Sequence, residues 1–516
     1  MALNWYAVLM FSAVIGAEVS QSVYKMTVVY YKEGHLVDAL DHYVTTTLAN
    51  HSHVDETVKS FLDNIKEKRS GIDNVTEWIG HPINAFQLVE RTANGWKKVE
   101  QNIKSSTVVP TKATLDFLSY WNEVIDVDGI WTGRDDVNIS AQGLCRLHQT
   151  YKLDLKTLMS GTILNKTASP LTTSDVINIG IYLKAEDQIE WYEAYLELDD
   201  VTEKESVLYK LAMTYYMEDF AWKSLSIFTD LQKISSRPLE NLVKIVRQKA
   251  EKAGNDRPFK KRKGPTSFLS KIYENLCRGN IQTNQAIPVL HCYNKVTRIP
   301  YYTGKEEVLS YIPRISRFHD VISDAEISQL QDFSKPDLTP SDVLGKAGQH
   351  FPGRISETSW IEPSKDVSKK LEKRIELLTR LDTVYREETV TSEYFQVVNY
   401  GFGGHYLRHY DALYSDQKYA KDNVYGDRIA TWMFYLNTVA AGGATVFPKL
   451  NLRILPIKGS AIFWYNLLPS GDLDDRSQHA SCPVLLGSKW ITTKWILEHE
   501  QMFRKPCKTH RMEEHF

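Results

Sequence analysis

The stretch that decides the reading is Tyr400-Gly401-Phe402-Gly403-Gly404-His405-Tyr406-Leu407-Arg408-His409-Tyr410-Asp411, completed downstream by His479 and Lys489. His409 and Asp411 are two positions apart, so in an extended segment both side chains leave on the same face. Two imidazoles and one carboxylate can hold a ferrous ion on one side and leave the other open for chemistry. His479 closes such a site only when a distant segment folds back onto the first. Lys489 opens a strand-like run and is costly to bury without an acidic partner. Among 15 histidines an isolated His-x-Asp pair carries little weight, and it is the combination that points to an oxygenase.

Outward from these residues, the C-terminal part reads as short strands: Tyr394 to Asn399, Arg428 to Leu436, Ala444 to Phe447, Gly459 to Tyr465 and Lys489 to Leu497. Turn signals separate them at Gly401 to Gly404, Gly442-Gly443 and Pro469-Ser470-Gly471. Helical patterns at Ser323 to Phe333 and Val367 to Thr379 precede them. The expectation is an antiparallel barrel or jelly roll, a double-stranded beta-helix, with supporting helices.

The remainder is helical. Leu36, Leu40 and Val44, then Val54, Val58, Leu62 and Ile65, recur at helical intervals until Gly71 and the Gly80-His81-Pro82 stop. A hairpin used for self-association is the preferred reading, and an internally packed bundle is the alternative. Val176 to Leu183, Asp187 to Leu198, Glu203 to Met217, Ala221 to Ile234 and Pro238 to Lys252 look like successive helices of tetratricopeptide-like length. Tyr192, Tyr195, Tyr209, Tyr215 and Tyr216 are candidates to line a groove for a proline-rich peptide, whose extended helix is already ordered. The basic run Lys260-Lys261-Arg262-Lys263 reads as a solvated hinge.

At 516 residues the chain exceeds one hydrophobic core, and three or more domains are expected. The net charge of -2, with 24% charged and 42% hydrophobic residues, gives no pull towards nucleic acid and no sign of general disorder. Leu3 to Ala17 is a short apolar run closed by small residues, read as a secretory signal peptide, and no later stretch inserts in a membrane. Asn50, Asn74, Asn138 and Asn165 head glycosylation sequons, in keeping with that route. Of the five cysteines, Cys277 with Cys292 and Cys482 with Cys507 are local pairs that leave Cys145 outside a disulfide; spacing alone does not fix the connectivity.

Tyr400 to Asp411, Arg428-Ile429-Ala430-Thr431-Trp432-Met433-Phe434-Tyr435, Ala441-Gly442-Gly443-Ala444-Thr445-Val446-Phe447-Pro448 and His479-Ala480-Ser481-Cys482-Pro483-Val484 resemble the catalytic domain of collagen prolyl 4-hydroxylase alpha subunits. His81-Pro82-Ile83-Asn84-Ala85-Phe86 resembles a segment of that family's N-terminal region, and Asp175 to Lys252 its peptide-substrate-binding domain. The resemblance implies a signal peptide over 1–17, a helical dimerisation domain over 18–140, a peptide-binding domain over 141–252, a basic linker over 253–275 and a catalytic domain over 276–516. It also implies C4 hydroxylation of peptidyl proline in X-Pro-Gly sequences, coupled to conversion of 2-oxoglutarate and O2 into succinate and CO2, with L-ascorbate restoring oxidised iron.

On the same ground the iron(II) ligands are His409, Asp411 and His479. Lys489 meets the distal carboxylate of 2-oxoglutarate, and Tyr435, Tyr400 and Thr431 face that co-substrate. The implied assembly is an alpha2beta2 tetramer with an alpha–alpha contact and protein disulfide isomerase as beta subunit, in the endoplasmic reticulum lumen. The chain ends Met512-Glu513-Glu514-His515-Phe516 without a Lys-Asp-Glu-Leu-like signal, so retention falls to the partner. Cys482 bonded to Cys507 would tether the segment after His479 to the tail. Three positions depart from the family pattern: Lys210 and Met213 stand where tyrosines are usual, and Arg408 where proline is common; each bears on substrate choice. The rival readings are a peptidyl lysyl hydroxylase, disfavoured by lysine rather than arginine at 489, and a catalytically silent peptide-binding subunit, disfavoured by the intact ligand set.

Overall fold

The computed structural model describes residues 19–508 except 51–52, 106–109, 127–128, 199–202, 255–266, 281–290, 343–351, 387–388 and 414–424. The apolar leader and the basic run at 260–263 lie outside the described residues. The chain divides into two compact units, Lys25–Ser267 and Phe268–Phe516, apart from short N-terminal pieces. The second compact unit begins at Phe268.

The first unit is almost wholly α-helical. Helix Glu56–Arg69 shows why its sequence folds as it does: Asp55 caps the N-terminus by accepting from the Thr57 amide, and Lys66, Lys68 and Arg69 sit at the negative end of the helix dipole. Its apolar face, Val58, Leu62 and Ile65, packs with Leu36, Leu40 and Val44 of helix Val23–Ala49 and with Trp96, Ile103, Phe117 and Trp121. The stripe expected to serve self-association is thus filled from within its own unit, because the later helices bring aromatic side chains large enough to cover it. The buried Glu33 carboxylate accepts from Arg91 Nε and Nη2, at 2.7 and 2.8 Å, and also from Arg69 and the Trp96 indole.

Helices Thr173–Ile181, Ala185–Leu196, Lys204–Met217, Ala221–Ile234 and Glu240–Ala253 fall close to the expected spans. Three of the groove tyrosines do not form an open surface. Tyr192 is fully buried against Gly180, where a Cβ would meet its ring, and Tyr195 and Tyr215 are 5% and 2% exposed. Their hydroxyls are engaged inside, with Thr173 and Glu193 respectively. Tyr209 and Tyr216 remain partly exposed, and Tyr209 borders a cleft of about 580 Å³ with Arg237, Pro238, Leu242 and Ile245.

The second unit is built on two antiparallel sheets. The larger runs, in spatial order, Cys292–Val296, Thr303–Tyr311, Arg314–His319, Ala461–Tyr465, Arg428–Tyr435, Lys489–Leu497, Phe395–Tyr400, Glu357–Ile361 and Thr339–Pro340. The smaller runs Leu452–Ile454, Thr445–Phe447, His479–Ser481, His405–His409 and Arg354–Ile355. Period-two alternation divides the larger sheet's side chains between two cores. Ala430, Trp432 and Phe434 pack with Leu371, Ile375 and Leu378 of helix Asp366–Thr379 and with Ile327 and Leu330 of helix Asp324–Ser334. Met433 and Tyr435, one step out of phase, pack with Phe447, Ile454 and Val484 of the other sheet's side.

The disulfide differs from both local pairs. Cys277, on helix Phe268–Arg278, bonds Cys482, 205 residues away and just past strand His479–Ser481. Cys292 and Cys507 are exposed thiols, while Cys145 is buried and accepts from Gln149. Nearness in sequence misleads here because Cys292 is committed to an edge strand paired with Thr303–Tyr311.

Alternation also buries Lys494 on the helical face of its strand, where its ammonium lies 2.7 Å from Glu372 with both side chains essentially inaccessible. Removing one member of such a pair strands the other charge. Lys494→Met is expected to cost about 3–5 kcal/mol, read as a lowered denaturation midpoint with the Glu372→Gln, Lys494→Met double variant partly restored.

Candidate active site

The two sheets meet at the ligand set. Strands His405–His409 and His479–Ser481 pair antiparallel, with His409 directly opposite His479. The ring centroids are 4.3 Å apart, and Asp411 reaches both: its Oδ1 lies 3.6 Å from His409 Nε2 and 3.7 Å from His479 Nε2. One donor atom from each of the three lies within 4.8 Å of the others.

Each histidine is oriented by its far nitrogen. His409 Nδ1 lies 2.8 Å from the Leu407 carbonyl, and His479 Nδ1 lies 3.0 Å from that of Ser477. A carbonyl only accepts, so each Nδ1 carries the proton and each Nε2 presents a lone pair towards Asp411. Tyr406 stacks on the His409 ring at 3.6 Å, while Trp464 and Phe447 flank His479. Burial, with His479 alongside, pushes His409 down to about 3, keeping it neutral and able to ligate.

Asp411 is held from behind. Thr431 donates to its Oδ2 at 2.7 Å, Asn466 donates to Thr431, and Arg428 donates to the Asp411 carbonyl. Burial opposes its ionisation, yet the two imidazoles, Arg428 and Thr431 together keep its carboxyl below the usual range. Two neutral nitrogens and one anionic oxygen converging on one point fit a ferrous ion.

Alternation on strand Lys489–Leu497 aims Lys489 at this face, opposite in sense to Lys494. Its ammonium is 1% exposed and donates to Ser481 Oγ at 2.9 Å and weakly to Thr445 Oγ1 at 3.4 Å. Tyr400 and Tyr435 place their rings 5.4 and 5.8 Å from it, and Tyr435 donates to Thr445. Among the described residues no carboxylate pairs with Lys489, and burial pulls its pKa down to about 7. A buried lysine among hydroxyls and tyrosine rings is a place where an anion would be favoured.

Thr431, expected to face the co-substrate, donates its hydroxyl to Asp411. Thr431 and Tyr435 share a strand face, four residues of extended chain apart. Thr445 and Ser481 take the place beside Lys489. Both lay inside motifs already noted, and Ser481 follows His479 by two positions, a same-face signal that was legible. Asn466 carried none. Arg408 reaches Ser270 of helix Phe268–Arg278 at 3.3 Å, turned from the ligand face as alternation from His409 requires.

Such a site, two histidines and a carboxylate beside a buried cation, defines a ferrous-ion oxygenase of the kind that uses a dicarboxylate co-substrate. Comparison with known proteins narrows the class. Residues 395–497 match the 2OG-Fe(II) oxygenase superfamily, and residues 22–165 match the prolyl 4-hydroxylase alpha-subunit N-terminal region. Prolyl 4-hydroxylase subunit alpha-1 of Bos taurus is 33% identical over 95% of this chain and 96% of its own length. Its Caenorhabditis elegans counterpart is 32% identical over 86% and 82%. A viral collagen prolyl hydroxylase structure, from Paramecium Bursaria Chlorella virus-1, is 27% identical over 36% of this chain and 95% of its own, with a TM-score of 0.27. The chain belongs to the prolyl 4-hydroxylase alpha-subunit family.

The lysine carries a pH dependence. Near pH 7 the buried Lys489 is losing its proton, and a carboxylate placed beside it would favour the charged form, so its binding would take up a proton. The apparent affinity for 2-oxoglutarate is therefore expected to fall as pH rises above 7, by up to about tenfold per pH unit before the bound-state pKa is reached. Calorimetry in buffers of different ionisation enthalpy checks both the affinity and the proton uptake.

Proposed function

We propose that the chain is the catalytic alpha subunit of a procollagen-proline 4-dioxygenase, hydroxylating C4 of peptidyl proline in X-Pro-Gly sequences. The observation that carries this reading is the convergence of His409, Asp411 and His479, with the buried Lys489 bonded to Ser481 of the strand that carries His479 and facing no carboxylate among the described residues. Iron(II) with 2-oxoglutarate and O2 would supply the oxidising power, with succinate and CO2 as products. His409, Asp411 and His479 hold the ion. Lys489, Thr445 and Tyr435 receive the distal carboxylate, and Tyr400 closes the wall beside them.

The chain's own work is positioning and exclusion of water. Phe447, Trp464 and Tyr406 pack the rings of the ligand histidines, and Thr431 fixes which Asp411 oxygen faces the metal. The sheet pair is read as a double-stranded beta-helix, and the helices from Thr173 to Ala253 as the tetratricopeptide-like domain that captures proline-rich peptide. Tyr209 and Tyr216 are the tyrosines of that set left with exposed surface for it.

The similarity to alpha subunits supports an alpha2beta2 assembly with protein disulfide isomerase. Any alpha–alpha contact would use a face other than the filled stripe of Leu36 to Ile65. The leader, the sequons and the resemblance support the endoplasmic reticulum lumen, and L-ascorbate is the expected reductant for oxidised iron. Among the described residues no helix is long and apolar enough to cross a membrane.

The test is a mass-resolved hydroxylation assay on Pro-Pro-Gly repeats with the chain co-expressed with the isomerase. His479→Ala is expected to lower turnover at least about a thousandfold while sparing peptide capture. Lys489→Ala is expected to raise KM for 2-oxoglutarate far more than KM for peptide. Lysine rather than proline hydroxylation on mixed peptides would replace the assignment.

A further inference from the structure

The ladder that brings the ligands together is short. Strands His405–His409 and His479–Ser481 share two residue partners, Tyr406 with Ser481 and His409 with His479, and an irregularity lies between them. The ladder stops at the histidines, so Asp411 lies beyond its end, where backbone pairing no longer holds the two segments together.

A side-chain cluster sits at that point. Tyr410, between the two ligands in sequence, donates its hydroxyl to Asp475 Oδ1 at 2.5 Å. Lys449 forms an ion pair with the same carboxylate oxygen and lies 3.2 Å from the Tyr410 hydroxyl. The three come from three segments that each serve the site. Lys449 is in the turn Pro448–Leu450, next to Phe447 that packs on His479. Asp475 is in the turn Asp475–Ser477, whose last carbonyl orients His479.

We propose that Tyr410, Asp475 and Lys449 form a clasp that continues the strand pairing past its end and sets the position of Asp411 relative to His479. The three are positioning residues, since none of them points a donor into the ligand triangle. An exposed ion pair alone contributes little, and the Asp475 side chain is 64% exposed. Here one carboxylate joins two partners across three turns, so its effect falls on geometry more than on overall stability.

This inference rests on the reading of His409, Asp411 and His479 as metal ligands, and its test separates the two. Mn(II) binding to the full-length chain is titrated by electron paramagnetic resonance for the wild type, Tyr410→Phe, Asp475→Asn, the double variant and His479→Ala. Each single variant is expected to weaken Mn(II) about three- to tenfold, below the range for direct partners of a ligand, with the double variant no worse than the weaker single. KM for Fe(II) should rise in parallel while KM for 2-oxoglutarate and the melting temperature hold. Unchanged Mn(II) affinity in both single variants would overturn the clasp, as would additive losses or an equal rise in KM for 2-oxoglutarate. Unweakened Mn(II) binding by His479→Ala would overturn the ligand reading itself.

Discussion

Everything catalytic in this chain hangs on one strand register, His409 opposite His479. Strand side chains alternate, so a slip of one strand by one residue would send its imidazole to the far side of the sheet, away from the other, and break the site outright. The register is secured from several directions. The Cys277–Cys482 disulfide pins the end of one strand, Arg354 and Ile355 pair with the start of the other, and Phe447 packs on the His479 ring. A metal ion would then find ligands already placed, with little ordering left to do on binding.

The same alternation separates two buried lysines on one strand. Lys494 faces the helical layer and meets Glu372; Lys489 faces the other sheet and meets hydroxyls and tyrosine rings. One cation is neutralised by the fold and the other is not. An unmatched buried charge is expensive, and under the proposed function an incoming carboxylate would relieve that cost. Stability and co-substrate selectivity thus draw on the same backbone rule, applied at odd and even positions of Lys489–Leu497.

Much of this was legible in the sequence, and the reasons are specific. The ligand pair His409 and Asp411 shares a face by spacing alone, and Lys489 stood out as a cation opening a buried strand. The helices from Thr173 to Ala253 followed from apolar period. The bond from Thr431 to Asp411 joins two different segments, which spacing within one strand does not reveal. Tyr192, Tyr195 and Tyr215 have their hydroxyls satisfied internally, which periodicity does not reveal. The disulfide and the Tyr410–Asp475 contact join residues far apart in the chain, and nothing local announces them. Strands Thr303–Tyr311 and Arg314–His319, dense in charged residues, gave little apolar alternation to read.

The most direct test of the central claim is anaerobic visible spectroscopy of the full chain with Fe(II) and 2-oxoglutarate. Were His409, Asp411 and His479 to hold the ferrous ion and Lys489 the distal carboxylate, the bound 2-oxo acid would give a metal-to-ligand charge-transfer band. That band is predicted in the wild type, absent in His479→Ala, and recovered only at much higher 2-oxoglutarate in Lys489→Ala. A wild-type spectrum without the band, or an undiminished band in His479→Ala, would contradict the account.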